Sequence, residues 1–122
     1  MTDGTVDRDV LRRLLESTGG DQGFMTELVE QFIADTPGLV TAARAGLESG
    51  DVDEVRRAAH TLKSNAATFG ALELAERSRR LEEDAKAGAI EDGEGQIRGI
   101  AEELERVREA LPVASASLAE GA

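Results

Sequence analysis

The sequence contains a single histidine, His60, and no cysteine. His60 is therefore the one side chain whose ordinary titration range brackets neutral pH, able to act as a nucleophile or to pass a proton. Its setting suits a nucleophile better than a core residue. At about 100° of turn per residue, the apolar seam around it centres on Leu62 and Ala66, and His60 falls roughly 120–140° away. Arg56, Lys63 and Ala67 share that flank. Ser64 and Ala67, at i+4 and i+7, are small, so the ring is expected to face out and be open to a macromolecular partner.

The charge around His60 also departs from that of the chain. The net charge is −11, yet residues 51–80 hold six cations (Arg56, Arg57, Lys63, Arg77, Arg79, Arg80) against five acids, a local +1 that leaves −12 elsewhere. A positive flank keeps imidazole neutral and nucleophilic, and it can pair with a transferred phosphoryl group. Phosphoryl transfer asks mainly for positioning and charge stabilisation, and a partner can bring the metal and the acidic residues. Lys63, one turn from His60, is expected to matter to such a group and little to folding, since surface substitutions usually stay within about ±0.5 kcal/mol.

Other chemistries find little support. No Gly-rich loop with a following Lys and Ser/Thr cradles a nucleotide phosphate, and the Gly93-Glu94-Gly95 run lacks the preceding strand and third glycine of a dinucleotide site. Without cysteine there is neither a disulfide, nor thiol catalysis, nor a thiolate zinc site. A lone histidine argues against a metal centre. Paired carboxylates are unavoidable with 25 acids in 122 residues and carry no signal by themselves. The strong negative charge disfavours nucleic acid and anionic membranes, which call for a basic footprint. No run approaches the ~20 apolar residues of a membrane span, and the acidic start MTDGTVDRDV is unlike a signal peptide. A cytoplasmic protein is expected.

The elements that must position His60 are helical throughout. Three Phe, no Tyr and no Trp leave a core of Leu, Val, Ile and Ala, which suits helices rather than a sandwich or barrel. A short first segment carries Val6, Val10, Leu11, Leu14 and Leu15 and ends at Gly19-Gly20. Asp21 can cap a second, with Phe24, Leu28, Val29, Phe32 and Ile33 on one face. Pro37 interrupts it, giving a kinked helix or two consecutive ones before Leu39, Val40, Ala43 and Leu47, and Gly50 stops it. Asp51 and Glu54 form a capping-box-like pair for the third, whose core positions are Val55, Ala59, Leu62, Ala66 and Phe69. The fourth carries Leu74, Ser78, Leu81 and Ala85 and ends near Gly88. The fifth carries Ile97, Ile100, Leu104, Val107 and Leu111 and is expected to stop at Pro112, with residues 113–122 a frayed tail. Short connections between helices of similar length imply neighbours that run antiparallel. The expected fold is all-α: an antiparallel up-and-down four-helix bundle over residues 1–112, with the first segment as a short N-terminal lid helix.

Residues 59–71, AHTLKSNAATFGA, resemble the motif of the histidine-containing phosphotransfer (HPt) family of two-component phosphorelays: His60, Leu62 at i+2, Lys63 at i+3, a small residue at i+4 and Gly70 at i+10. Phe24, Leu28, Phe32, Asp35-Thr36-Pro37 and Gly50-Asp51 also fall where such domains carry an apolar helix, a proline step and a Gly-Asp turn, and Leu81-Glu82 resembles the family's next helix. The likeness covers roughly residues 5–111.

The resemblance implies a stoichiometric phosphocarrier, not an enzyme. His60 would accept a phosphoryl group from a histidine kinase, a hybrid kinase or a receiver aspartyl phosphate, and pass it to a receiver aspartate. Lys63 would offset phosphate charge, and Glu82 would orient the imidazole. Ser64 stands where many relatives have Gly; its hydroxyl could hydrogen-bond a phosphate. No cofactor of its own is implied, Mg2+ being expected on the partner response-regulator receiver domain, and the chain is expected to be a monomer. Two other readings are an HPt-like interaction module that binds a receiver or kinase without phosphotransfer, and a small metal-dependent enzyme. The His60-Lys63 pair speaks against the first, since a scaffold needs neither.

Overall fold

The computed structural model describes residues 4–120. Five helices follow in order: α1 (Arg8–Ser17), α2 (Gln22–Ser49), α3 (Val52–Thr68), α4 (Leu72–Ala87) and α5 (Gly93–Glu120). No strand occurs among the described residues. Each of α2 to α5 packs on its neighbours in sequence, and α5 returns to α2, closing a four-helix ring. The turns between them are too short for anything but antiparallel neighbours. The shorter α1 packs on α5 and α3 of the ring, as the lid helix expected from its length.

Local chemistry sets the helix ends. Asp7, Asp21 and Asp51 each accept hydrogen bonds from backbone N–H groups of the first turn, and Asp51 Oδ1 meets Glu54 N at 3.0 Å. Between α3 and α4 the chain turns through Gly70, at φ +75°, while the Asp7 N–H donates to the Gly70 carbonyl at 2.8 Å. A Cβ at Gly70 would lie 2.6 Å from the Asp7 carbonyl oxygen. Glycine there therefore serves both the left-handed turn and the seating of the segment that leads into α1.

The core follows the periodicity on α3, α4 and α5: every seam residue named for those three helices is buried. Phe69 reaches across to Phe32 of α2, their ring centroids 4.9 Å apart. Two expectations fail. On α2 Val29, Phe32, Val40 and Ala43 are buried as expected, but Met25 takes the first place in the seam, Phe24 stands 45% exposed, and Leu28 and Ile33 are only partly buried. The buried series runs Met25, Val29, Phe32, Thr36, Val40 and Ala43, and includes a threonine whose hydroxyl is satisfied by the Phe32 carbonyl at 2.5 Å. That polar member hides the true seam from a count of apolar residues.

The second correction concerns the end of the chain. α5 does not stop at Pro112, and residues 113–120 are helical instead of frayed. Pro112 lies on an exposed face, where the helix carbonyl that loses its donor can turn to water. Beyond it Ser115 and Leu118 continue the buried stripe of Leu104, Val107 and Leu111, and Gln22 at the start of α2 donates to the Ser115 carbonyl at 3.2 Å. Tertiary burial outweighs the local penalty, as it does for Pro37 inside the single continuous α2.

Candidate functional site

His60 sits midway along α3 on the side that faces α4, the partner on which α3 packs most extensively. Its side chain is 56% exposed, and its Nδ1 lies 2.7 Å from Oε2 of Glu82 on α4. Glu82 follows the seam residue Leu81 and is nearly sealed, at 1% exposure. A carboxylate so placed needs compensating charge, because removing it from water costs several kcal/mol on the order of magnitude. Two lysines supply it. Lys63 Nζ is 2.6 Å from Oε1, and Lys86 Nζ, one turn further along α4, is 3.6 Å from Oε2.

Burial, the largest single influence on Glu82, pushes its pKa up. The contacts from Lys63 and His60, with the charges of Lys63 and Lys86, together outweigh it and hold the carboxyl at about 2. Glu82 is therefore ionised at neutral pH and can only accept hydrogen bonds. The hydrogen of the His60–Glu82 contact must then sit on Nδ1, which in the neutral imidazole leaves the lone pair on Nε2. Nε2 meets no hydrogen-bond partner among the described residues. In its neutral form the site thus presents one imidazole lone pair, on Nε2, on an exposed ring whose other nitrogen is anchored.

Three of the four residues singled out from the sequence, His60, Lys63 and Glu82, meet in this cluster. Ser64 is exposed on the next turn of α3, and its hydroxyl takes part in none of the cluster's contacts. The electrostatics differ from the expected positive flank. Arg56 and Arg57 are both turned onto Asp53, so the nearest charge to the ring is the Glu82 carboxylate. Lys63 is also no plain surface residue: at 31% exposure it is the closest cation to a buried carboxylate. Sequence reasoning missed Lys86, although its i+4 offset from Glu82 is the spacing of a helical ion pair. Glu82 is singled out in the sequence only by the family resemblance, because its burial depends on where α3 lies.

A family model described as Hpt domain matches residues 27–110, more than half of the chain. The chain belongs to the Hpt domain family. Two solved structures share its shape. Histidine-containing phosphotransfer protein B (HptB) from Pseudomonas aeruginosa PAO1 is 25% identical, with a TM-score of 0.83 over 93% of this chain and 96% of that one. The HPT domain of the Hpt sensor hybrid histidine kinase from Shewanella is 18% identical, with a TM-score of 0.71 over the same shares, and supports the fold alone. No curated protein sequence matches.

As an Hpt domain the protein is a histidine phosphotransfer protein of phosphorelays, a carrier that works with kinases and response-regulator receivers. Three cavities lie away from the site: one of about 330 Å³ beside the N-terminal segment and the Gly70 turn, one between α4 and α5 and one between α2 and α5. His60 lines none of these. Among the described residues no three histidine, cysteine or acidic side chains cluster for a metal ion. None of the described helices is long and apolar enough to cross a membrane.

Proposed function

We propose that Nε2 of His60 is the phosphoacceptor of this Hpt domain. The Nδ1–Glu82 contact carries the reading, since it places the free lone pair on the exposed nitrogen. The Nε2 lone pair attacks the phosphorus of a receiver aspartyl phosphate or of a kinase phosphodonor. The bond to the leaving oxygen breaks, and the hydrogen stays on Nδ1, donated to Glu82, throughout. Onward transfer reverses this: a receiver carboxylate oxygen bonds to phosphorus and the electron pair returns to Nε2. Lys63 is the cation for the phosphoryl oxygens, and Ser64, one turn on, offers a hydroxyl. The carrier works as a cytoplasmic monomer without a cofactor, the Mg2+ of the reaction being held by the receiver.

The test is transfer from a phosphorylated cognate receiver. The wild-type chain should gain acid-labile, base-stable label, and should gain none from labelled ATP alone. His60→Gln should abolish labelling while leaving the helical circular dichroism unchanged. Undiminished label in a folded His60→Gln protein would show that His60 is not the acceptor, and binding of the receiver without label in the wild type would point to an interaction module.

A further inference from the structure

Glu82 has two lysines where a single ion pair would satisfy its charge, and they differ in what else they can reach. Lys63 stands on α3 one turn from His60, the nearer of the two to Glu82. Lys86 stands on α4, is 52% exposed, and makes its one ion pair with Glu82 at the longer distance of 3.6 Å. Once a phosphoryl group with about two negative charges sits on Nε2, it competes with Glu82 for Lys63. Glu82 is too deeply buried to be left without a counter-ion. If no other cation were at hand, either Lys63 would stay on Glu82 and the phosphoryl group would lose it, or the carboxylate anchoring Nδ1 would be uncompensated.

We propose that Lys86 is a positioning residue: it serves as the second counter-ion of Glu82 and so releases Lys63 to the phosphoryl group on His60. This rests on the assignment of His60 as the phosphoacceptor. Lys86 touches no reacting atom and acts through Glu82 and Lys63. In the unphosphorylated protein Lys63 carries most of the task, and Lys86 moves into closer contact with Oε2 as Lys63 leaves. The plain alternative is that Lys86 is only an i,i+4 partner in the last turn of α4, favourable to the helix end and irrelevant to transfer.

The alternatives separate in a cycle of variants assayed for transfer rate to a receiver per folded, phosphorylated molecule. Lys86→Met should slow transfer about threefold, the size of one partly exposed charge contact, while shifting the unfolding midpoint little. Lys86→Arg should restore the wild-type rate. Because Lys86 acts by releasing Lys63, the double variant Lys63→Met/Lys86→Met should be no slower than Lys63→Met alone. A wild-type rate in Lys86→Met, or losses that multiply in the double variant, overturns the proposal while leaving His60 as the acceptor. Failure of the wild-type chain to form phosphohistidine at all overturns both.

Discussion

Replacing Lys63 with Ala removes the closest cation from a carboxylate that has almost no access to water. Glu82 is 1% exposed and held at about 2, against an ordinary value of 4.5. At about 1.4 kcal/mol per unit, burial and partners together leave a net preference for the ionised form of roughly 3 kcal/mol. Lys63, at 2.6 Å, carries the largest part, and His60 and Lys86 keep the rest. Lys63→Ala should thus cost about 1–3 kcal/mol at neutral pH, within the range for a buried charge that loses one partner but not all. The sign of the pH dependence follows from the depressed pKa. The stability that Glu82 contributes is fully present above its unfolded value near 4.5, and is lost as pH falls from there towards 2. The gap between wild type and Lys63→Ala should therefore be widest above pH 5 and close below it. With neither Trp nor Tyr in the chain, urea unfolding followed by far-ultraviolet circular dichroism is the suitable assay. Glu82→Gln serves as the second arm, since in that background the lysine should matter little. A cost under about 0.5 kcal/mol at pH 7, or the same cost with Gln at 82, would refute the reasoning and return Lys63 to the solvent-exposed class.

Other perturbations test the scaffold. Phe69→Ala removes a ring that is 8% exposed and stacked near Phe32, and should cost about 3–5 kcal/mol by urea unfolding, enough to unfold much of so small a domain. Gly70→Ala places a Cβ against the Asp7 carbonyl at a positive φ; faster amide hydrogen exchange in α1 than in α3 and α4 should be the result, and unchanged α1 protection would contradict it. Leu118→Ala, six residues beyond Pro112, should cost about 2–4 kcal/mol because the side chain is 6% exposed, whereas a frayed tail would show no change.

Much of this protein was legible in the one-dimensional pattern. The alternating four-and-three spacing on α3, α4 and α5 marks a buried stripe directly, because helix geometry repeats every 3.6 residues. The same arithmetic put His60 outside the core, and it stands there. Where the stripe is chemically mixed the pattern misleads: Thr36 in the α2 seam and Ser115 in the α5 seam are buried by their neighbours, not by their own apolarity. Pro112 shows the same limit from the other side, since a local penalty says nothing of the burial gained by Leu118 further on. The site divides along similar lines. That His60 and Lys63 share a flank is a property of one helix and can be read from their spacing. That Glu82 lies under His60 on a different helix, and is sealed there between two lysines, depends on how α3 and α4 pack. Burial and countercharge are properties of a neighbourhood, so the packed bundle alone decided that Glu82 is an ionised acceptor and that Nε2 holds the free lone pair.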